Sequence, residues 1–199
     1  MPLEEARDYK LPTKVNLNVA AIYLPTYKKT DDMGNFKAAE TLLAKHNIGL
    51  TVWPTGGKKG SNNTLDLSVY EKPIKNTKEA YKQLRTDVNE WLKNRAPGYP
   101  FIVPIIFCLF EADGYAITPH SSKIGAATPA CLISTGAETM QDKMTILHEM
   151  GHAVEYPKGD HNLTAGNLMH EADGRKFLFK SQVENFGKAF FARSTDAGT

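Results

Sequence analysis

The segment HEMGHAVEYPKGDHNLTAGNLMHE, residues 148–171, contains four of the six histidines of the chain and decides how the rest is interpreted. It opens with an H-E-x-x-H motif formed by His148, Glu149 and His152. Residues four apart lie on the same face of a helix, about one turn from each other. Two imidazoles placed in this way can bind one tetrahedral metal ion, while the glutamate next to them transfers protons. The motif therefore predicts a metal site on a helix.

The sequence around the motif predicts a helix over residues 139–156. Thr139 and Asp142 are placed for a capping box at its start. Pro157 ends the helix, and Gly159 permits a sharp turn after it. The apolar stripe of the helix consists of Met140, Met144, Leu147, Gly151 and Val154. The alternative is a helix with two surface histidines and no metal. In that interpretation the adjacent glutamate and the further histidine downstream would occur by coincidence.

A third histidine, His161, follows nine residues after His152. If the chain doubles back after the helix, this imidazole reaches the same ion as the H-E-x-x-H pair. Three histidines leave the fourth position of a tetrahedral ion open for water, which is the arrangement of catalytic zinc sites. His161 is therefore a candidate third ligand.

The segment resembles the metzincins, zinc endopeptidases whose H-E-x-x-H-x-x-G-x-x-H motif is followed by a methionine-containing turn. Residues 166–170, GNLMH, are similar to that turn, and Met169 follows His161 by eight residues. The resemblance implies that the two histidines of H-E-x-x-H and His161 hold Zn²⁺ above Met169. It also implies that Glu149 takes a proton from a zinc-activated water and passes it to the leaving amine.

The segment departs from the metzincin motif at three places. The family's glycine is Glu155 here, and Lys158 occupies the place of the third histidine, three residues before His161. Three residues are nearly one helical turn, so we expect the helix to run one turn further before the chain reverses. Glu171 stands where some metzincins have a zinc-contacting tyrosine. Glu155, His170 and Glu171 are candidates for contacts around the metal, and solvated or salt-bridged surface residues are the alternative.

The sequence leaves two alternatives to His161 as the third metal ligand. Glu171 lies 19 residues after His152, a spacing similar to that of the glutamate ligand in thermolysin-like enzymes. That glutamate lies on a helix, whereas GNLMHEADG, residues 166–174, has a glycine at each end and is typical of a turn. Cys131, in ACLIS, resembles the cysteine ligand of peptide deformylases, with a core cysteine as the alternative.

The remaining sequence predicts a single catalytic domain over residues 1–199, with an N-terminal lobe of about 1–156 and a C-terminal lobe of about 157–199. The predicted class is α+β. A mixed α/β N-terminal lobe with a twisted sheet is followed by the active-site helix and a small irregular C-terminal lobe that ends in a helix, as in metzincins. Predicted strands cover 15–24, 48–53, 65–70, 102–110, 115–118 and 130–134. Predicted helices cover 35–47, 76–94, 139–156 and about 179–193.

Composition and charge exclude several classes of protein. Hydrophobic residues are 41% and charged residues 23% of the 199, which is typical of a globular domain rather than a disordered or disulfide-dense chain. A net charge of +2 gives no reason to expect nucleic acid or a membrane as partner. Two cysteines, Cys108 and Cys131, lie in apolar runs and are expected to be buried free thiols.

The sequence does not indicate the compartment in which the protein acts. The N-terminus MPLEEARDYK lacks the apolar region of a secretory signal peptide. The longest apolar run, residues 101–110, is too short to cross a membrane as a helix. We therefore expect either a cytoplasmic protein or export by a route that needs no signal peptide.

We expect a zinc metallopeptidase that acts as a monomer on an extended peptide or protein substrate. It is a candidate toxin domain of a secreted bacterial effector, for which an immunity or inhibitor protein is the expected partner. A zinc amidase that cuts peptidoglycan cross-bridges uses the same chemistry. A non-catalytic binding module stabilised by a metal is an alternative of another class, although a structural site needs no base such as the motif's glutamate.

Overall fold

The structure, a computed structural model, describes residues 4–27, 32–53, 70–75, 77–93, 96, 99–109, 111, 130–134, 143–154, 161–170 and 174–195. In this part of the chain the elements are β1 (Val15–Tyr23), α1 (Asp32–Ala44), β2 (Ile48–Trp53), α2 (Lys78–Lys93), β3 (Val103–Cys108), β4 (Cys131–Ser134), α3 (Thr145–Val154), α4 (Lys180–Lys188) and β5 (Ala192–Ser194). None of the described helices is long and apolar enough to cross a membrane.

The described strands form one mixed sheet. Four parallel strands follow the order β2-β1-β3-β4, and β5 pairs antiparallel with the start of β1. Near the middle, Val19 of β1 lies opposite Val52 of β2 and Val103 of β3. All six residues of β3 are buried, as expected when helices cover both faces of a parallel sheet. The protein is therefore an α+β protein built on a small, largely parallel sheet.

Two apolar clusters cover the two faces of this sheet. Successive residues of a strand point to opposite faces, so Phe107 of β3 joins the cluster that contains residues of α1, α3 and α4, whereas Ile106 joins the cluster of α2. Leu147 of α3 and Phe186 of α4 are fully buried in the first cluster. The helix that carries H-E-x-x-H thus packs on the same face of the sheet as α1 and α4.

Most predicted elements agree with the structure within a few residues. Five of them, predicted at 15–24, 48–53, 76–94, 102–110 and 130–134, correspond to β1, β2, α2, β3 and β4. The helix predicted at 35–47 begins three residues earlier as α1 and ends at Ala44, because Asn47 has a positive φ of 61° that turns the chain into β2. Of the predicted strand 65–70 only Tyr70 is described, and it is not in a strand; 115–118 lies outside the described residues.

The predicted start of the motif helix is wrong. Residues 143–144 form a turn, and α3 begins six residues after the predicted start. The Met144 carbonyl accepts the first helical hydrogen bond, from the His148 N–H at 2.8 Å. Residues 139–142 and 155–160, on which the predicted capping box and the predicted chain reversal fall, lie outside the described residues.

The predicted C-terminal helix is also too long. It ends at Lys188 rather than at about residue 193, because residues 192–194 form β5 and pair with β1. Just before that strand, Phe191 is fully buried, and its carbonyl accepts a hydrogen bond from the Asn18 N–H at 3.0 Å. Pairing with a distant strand and burial of an aromatic ring therefore override the local preference for a helix.

The C-terminal segment is bound to the start of the chain through its backbone. The Ala6 N–H donates to the Leu178 carbonyl at 2.8 Å, and the Lys180 N–H donates to the Glu4 carbonyl at 2.9 Å. These hydrogen bonds join the N-terminal end of α4 to the first described residues of the chain. The division of the domain into two lobes at about residue 156 stays a prediction.

Candidate metal centre

Helix α3 buries most of the H-E-x-x-H motif. It packs on α1 and β4, with Leu147 and Met150 fully buried in the apolar cluster. His148 and Glu149 are each only 4% exposed, and His152 is half-buried. Removing a carboxylate and an imidazole from water is costly unless they have partners, so their joint burial in one helical turn makes the motif a candidate functional site.

Three histidines converge beside α3. The Nε2 atoms of His148 and His152 are 3.2 Å apart, and the ring centre of His161 lies 5.3 and 5.0 Å from theirs. One nitrogen of each ring lies within 4.8 Å of the other two. Two nitrogens that each lie about 2.0–2.1 Å from a tetrahedral ion are about 3.3 Å apart. The three histidines therefore form a group that could hold a metal ion.

His148 is oriented by a backbone carbonyl. Its Nδ1 lies 2.8 Å from the Leu168 carbonyl oxygen, so the Nδ1–H donates and Nε2 keeps its lone pair. Burial, followed by the positive charge of Arg175, lowers the pKa of His148 from 6.5 to about 3. A metal ion binds the neutral imidazole. The carbonyl contact and the burial thus both favour Nε2 of His148 as a ligand atom.

The predicted methionine turn lies against α3. Within it, the Asn167 N–H donates to the Thr164 carbonyl and the His170 N–H donates to the Asn167 carbonyl, both at 3.0 Å. Met169 is 1% exposed, and its Sδ would overlap a Cβ placed on Gly151. Glycine at this position of the helix therefore allows the turn to approach next to the histidine pair.

Cys131 of β4 lies in the apolar cluster that contains the buried residues of α3. Burial raises the pKa of the Cys131 thiol well above its ordinary value, and the nearby charge of Glu149 raises it further. Helix α3, which carries Glu149, packs on this strand. Cys131 is not a member of the three-histidine group. Cys108 and Cys131 are both buried free thiols, as predicted, and they belong to the clusters on opposite faces of the sheet.

The remaining predicted site residues are His170, Glu155 and Glu171. His170 is half-buried, its carbonyl accepts a hydrogen bond from Arg175 Nε at 2.9 Å, and it is not part of the three-histidine group. Glu155 and Glu171 lie outside the described residues, so the thermolysin-like ligand set stays a hypothesis. Among the described candidates for a third ligand, the structure brings His161 to the pair.

Three contributors to the site are missing from the sequence interpretation. They are the Leu168 carbonyl, the Arg175 guanidinium and the Asn167 side chain. A backbone carbonyl leaves no signal in a sequence. Arg175 lies beyond both the H-E-x-x-H motif and the predicted turn, so no spacing points to it. An asparagine inside the predicted turn is a signal that could have been used, because asparagine side chains commonly bond to turn backbone.

Comparison of the sequence with protein-family models and with curated proteins finds no match. The resemblance to metzincins therefore depends on H-E-x-x-H, His161 and the turn around Met169 alone.

Proposed function

We propose that the chain is a zinc-dependent peptidase of the metzincin type, with His148, His152 and His161 as the zinc ligands. The observation that carries the proposal is the convergence of three imidazoles beside a buried glutamate. Imidazole suits zinc and other transition metals, and among the described residues the group contains no carboxylate, the ligand that Mg²⁺ and Ca²⁺ prefer. Three protein ligands with a fourth position for water are typical of catalytic zinc sites.

Glu149 is the proposed base. When bound, the zinc ion would supply a water molecule of lowered pKa and would polarise the substrate carbonyl. The Glu149 carboxylate takes the proton of the attacking water and delivers it to the leaving amine. At 4% exposure, this carboxylate is shielded from bulk water, which keeps the proton between the enzyme and its substrate.

We infer that the substrate is an extended peptide that binds along the edge of β4 opposite β3. Among the described residues, β4 pairs with β3 alone. A strand edge of this kind binds an extended peptide through main-chain hydrogen bonds. Because α3, the helix that carries Glu149, packs on β4, a peptide bound along this edge would pass close to that helix.

Substitution of the base tests the proposal. Glu149→Gln keeps the shape of the side chain but cannot take up the proton, so we expect unchanged zinc content and hydrolysis slower by about 10²–10⁴. Glu184→Gln is the matched control, because Glu184 lies on α4 and its Oε1 accepts a hydrogen bond from Tyr9 instead. Both variants and the wild type are assayed on a mixed peptide library and, in parallel, on purified peptidoglycan.

The possible results separate the three functions considered. Peptide cleavage that depends on Glu149 supports the peptidase. Turnover that is unchanged in Glu149→Gln rejects the mechanism. Cleavage of peptidoglycan alone would replace the peptidase with an amidase, and zinc binding without any hydrolysis would favour a binding module.

A further inference from the structure

A pair of buried amides joins the turn against α3 to the first turn of α4. Asn167 is fully buried and Gln182 is 4% exposed. The Asn167 Nδ2 donates to Gln182 Oε1 at 2.9 Å, and the Gln182 Nε2 donates to Asn167 Oδ1 at 3.0 Å. The two side chains therefore satisfy each other away from water.

Each amide oxygen also accepts a backbone hydrogen bond. The Met169 N–H donates to Asn167 Oδ1 at 3.0 Å, and the Phe179 N–H donates to Gln182 Oε1 at 2.8 Å. Rotating either amide by half a turn would bring N–H groups against N–H groups. The pair consequently has one arrangement that satisfies all four donors, and this arrangement fixes the turn relative to α4.

The turn fixed in this way contacts both segments that carry metal-binding histidines. The Leu168 carbonyl accepts a hydrogen bond from His148 Nδ1 at 2.8 Å. The Met169 carbonyl accepts one from the N–H of Asn162, the residue after His161, at 2.7 Å. One turn therefore sets the orientation of the first histidine and the position of the segment that carries the third.

We propose that Asn167 and Gln182 are positioning residues of the metal centre, which act through the carbonyls of the turn on His148 and His161. The proposal rests on the zinc site proposed above, but not on peptide hydrolysis. A buried amide that loses its partner either stays unsatisfied, which destabilises the fold, or rotates away and releases its other hydrogen bonds. Either result loosens the turn whose carbonyl holds the His148 ring.

Two neighbouring substitutions in α4 separate positioning from general stability. Gln182→Met removes both polar groups at nearly constant volume and leaves Asn167 without its partner. Val183→Ala is the matched control, because Val183 is fully buried in the same helix and its side chain has no polar atom. We expect Gln182→Met to bind Zn²⁺ about 10- to 100-fold more weakly than wild type in competition with a chelator, as when other groups that orient ligating histidines are changed.

Val183→Ala should bind Zn²⁺ like wild type even if it unfolds at a lower temperature. If Gln182→Met and Val183→Ala have the same zinc affinity, the amide pair only stabilises the fold and the proposal is overturned. If Gln182→Met does not fold, Gln182→Glu takes its place. This change keeps an oxygen acceptor for the N–H groups of Phe179 and Asn167, and we expect it to weaken zinc binding by about tenfold.

The tautomer of His148 provides a readout that needs no metal. Long-range ¹H–¹⁵N spectra of the metal-free protein show which ring nitrogen carries the proton. We expect the His148 ring to carry its proton on Nδ1 in wild type and in Val183→Ala. In Gln182→Met we expect a mixture of the two tautomers. Unchanged tautomers with unchanged zinc affinity would overturn this inference alone, whereas a wild-type protein that binds no zinc would refute the metal centre itself.

Discussion

Gly151 offers a sharp test of how the methionine turn packs against α3. A Cβ added there would overlap Met169 Sδ and lie 3.6 Å from Cδ2 of Leu168. Alanine in place of glycine inside a helix normally stabilises by about 1 kcal/mol. Overpacking a filled core costs about 1–3 kcal/mol. The difference between the two effects predicts that Gly151→Ala destabilises the metal-free protein by about 0–2 kcal/mol.

The sign of this effect should reverse when the methionine is truncated. Met169→Ala removes the sulfur that a Cβ on Gly151 would meet, so Gly151→Ala should stabilise that background by about 1 kcal/mol. The resulting double-mutant cycle has an expected coupling of about 1–3 kcal/mol. Urea unfolding of the four proteins in the presence of a chelator, followed by circular dichroism, measures it. If Gly151→Ala stabilises both backgrounds equally, the packing of Met169 on α3 is wrong.

Zinc affinity distinguishes overpacking at Gly151, beside the metal centre, from overpacking at a glycine in α4. Gly151 lies next to His152, so its substitution should also weaken zinc binding. Gly187→Ala is the matched control, because a Cβ on this α4 glycine meets Leu11 Cδ1 at 2.8 Å instead of the turn. We expect the Gly187 variant to lose stability but to keep the zinc affinity of wild type.

The third ligand, the methionine and the buried histidine each lead to a further prediction. His161→Ala should lower zinc affinity severely and Glu171→Ala should leave the metal bound; the reverse result in a chelator titration would replace the ligand set with a thermolysin-like one. Met169→Leu nearly conserves volume and should cost less than about 1.5 kcal/mol in urea unfolding with zinc retained, and loss of zinc would contradict a packing role. Because the pKa of His148 falls from 6.5 to about 3 on folding, the unfolded chain binds a proton below pH 6.5 that the folded chain does not. The metal-free protein should therefore lose about 1 kcal/mol of stability between pH 6.5 and 5.5 in urea unfolding, and a flat or rising profile would contradict this.

The central strands and α2 could be predicted because their signals are local. Val15–Tyr23 alternates in part between apolar and polar residues, and Val103–Cys108 is an apolar run, which is typical of a parallel strand buried on both faces. In α2, Leu84, Val88 and Leu92 recur at helical spacing, and all three are fully buried. The end of α4 could not be predicted, because β5 is only three residues long and forms by pairing with a strand at the other end of the chain.

In the candidate site, too, the features set by local sequence could be predicted, and those set by contacts between distant residues could not. The H-E-x-x-H pair depends on a spacing within one helix, so its geometry follows from the sequence. The contact between His148 and the Leu168 carbonyl joins residues 20 positions apart, and the Asn167–Gln182 pair joins residues 15 positions apart. Such hydrogen bonds depend on how the turn and α4 pack on α3, which no local pattern encodes.

The metal content of the purified protein tests the three-histidine centre most directly. Protein purified without added metal should contain about one zinc ion per chain by elemental analysis. His148→Ala, His152→Ala and His161→Ala should each lose it, whereas His170→Ala, which changes a histidine outside the group, should retain it. Wild-type protein that is free of zinc and also fails to take up added zinc would contradict the metal centre, and with it the proposed peptidase.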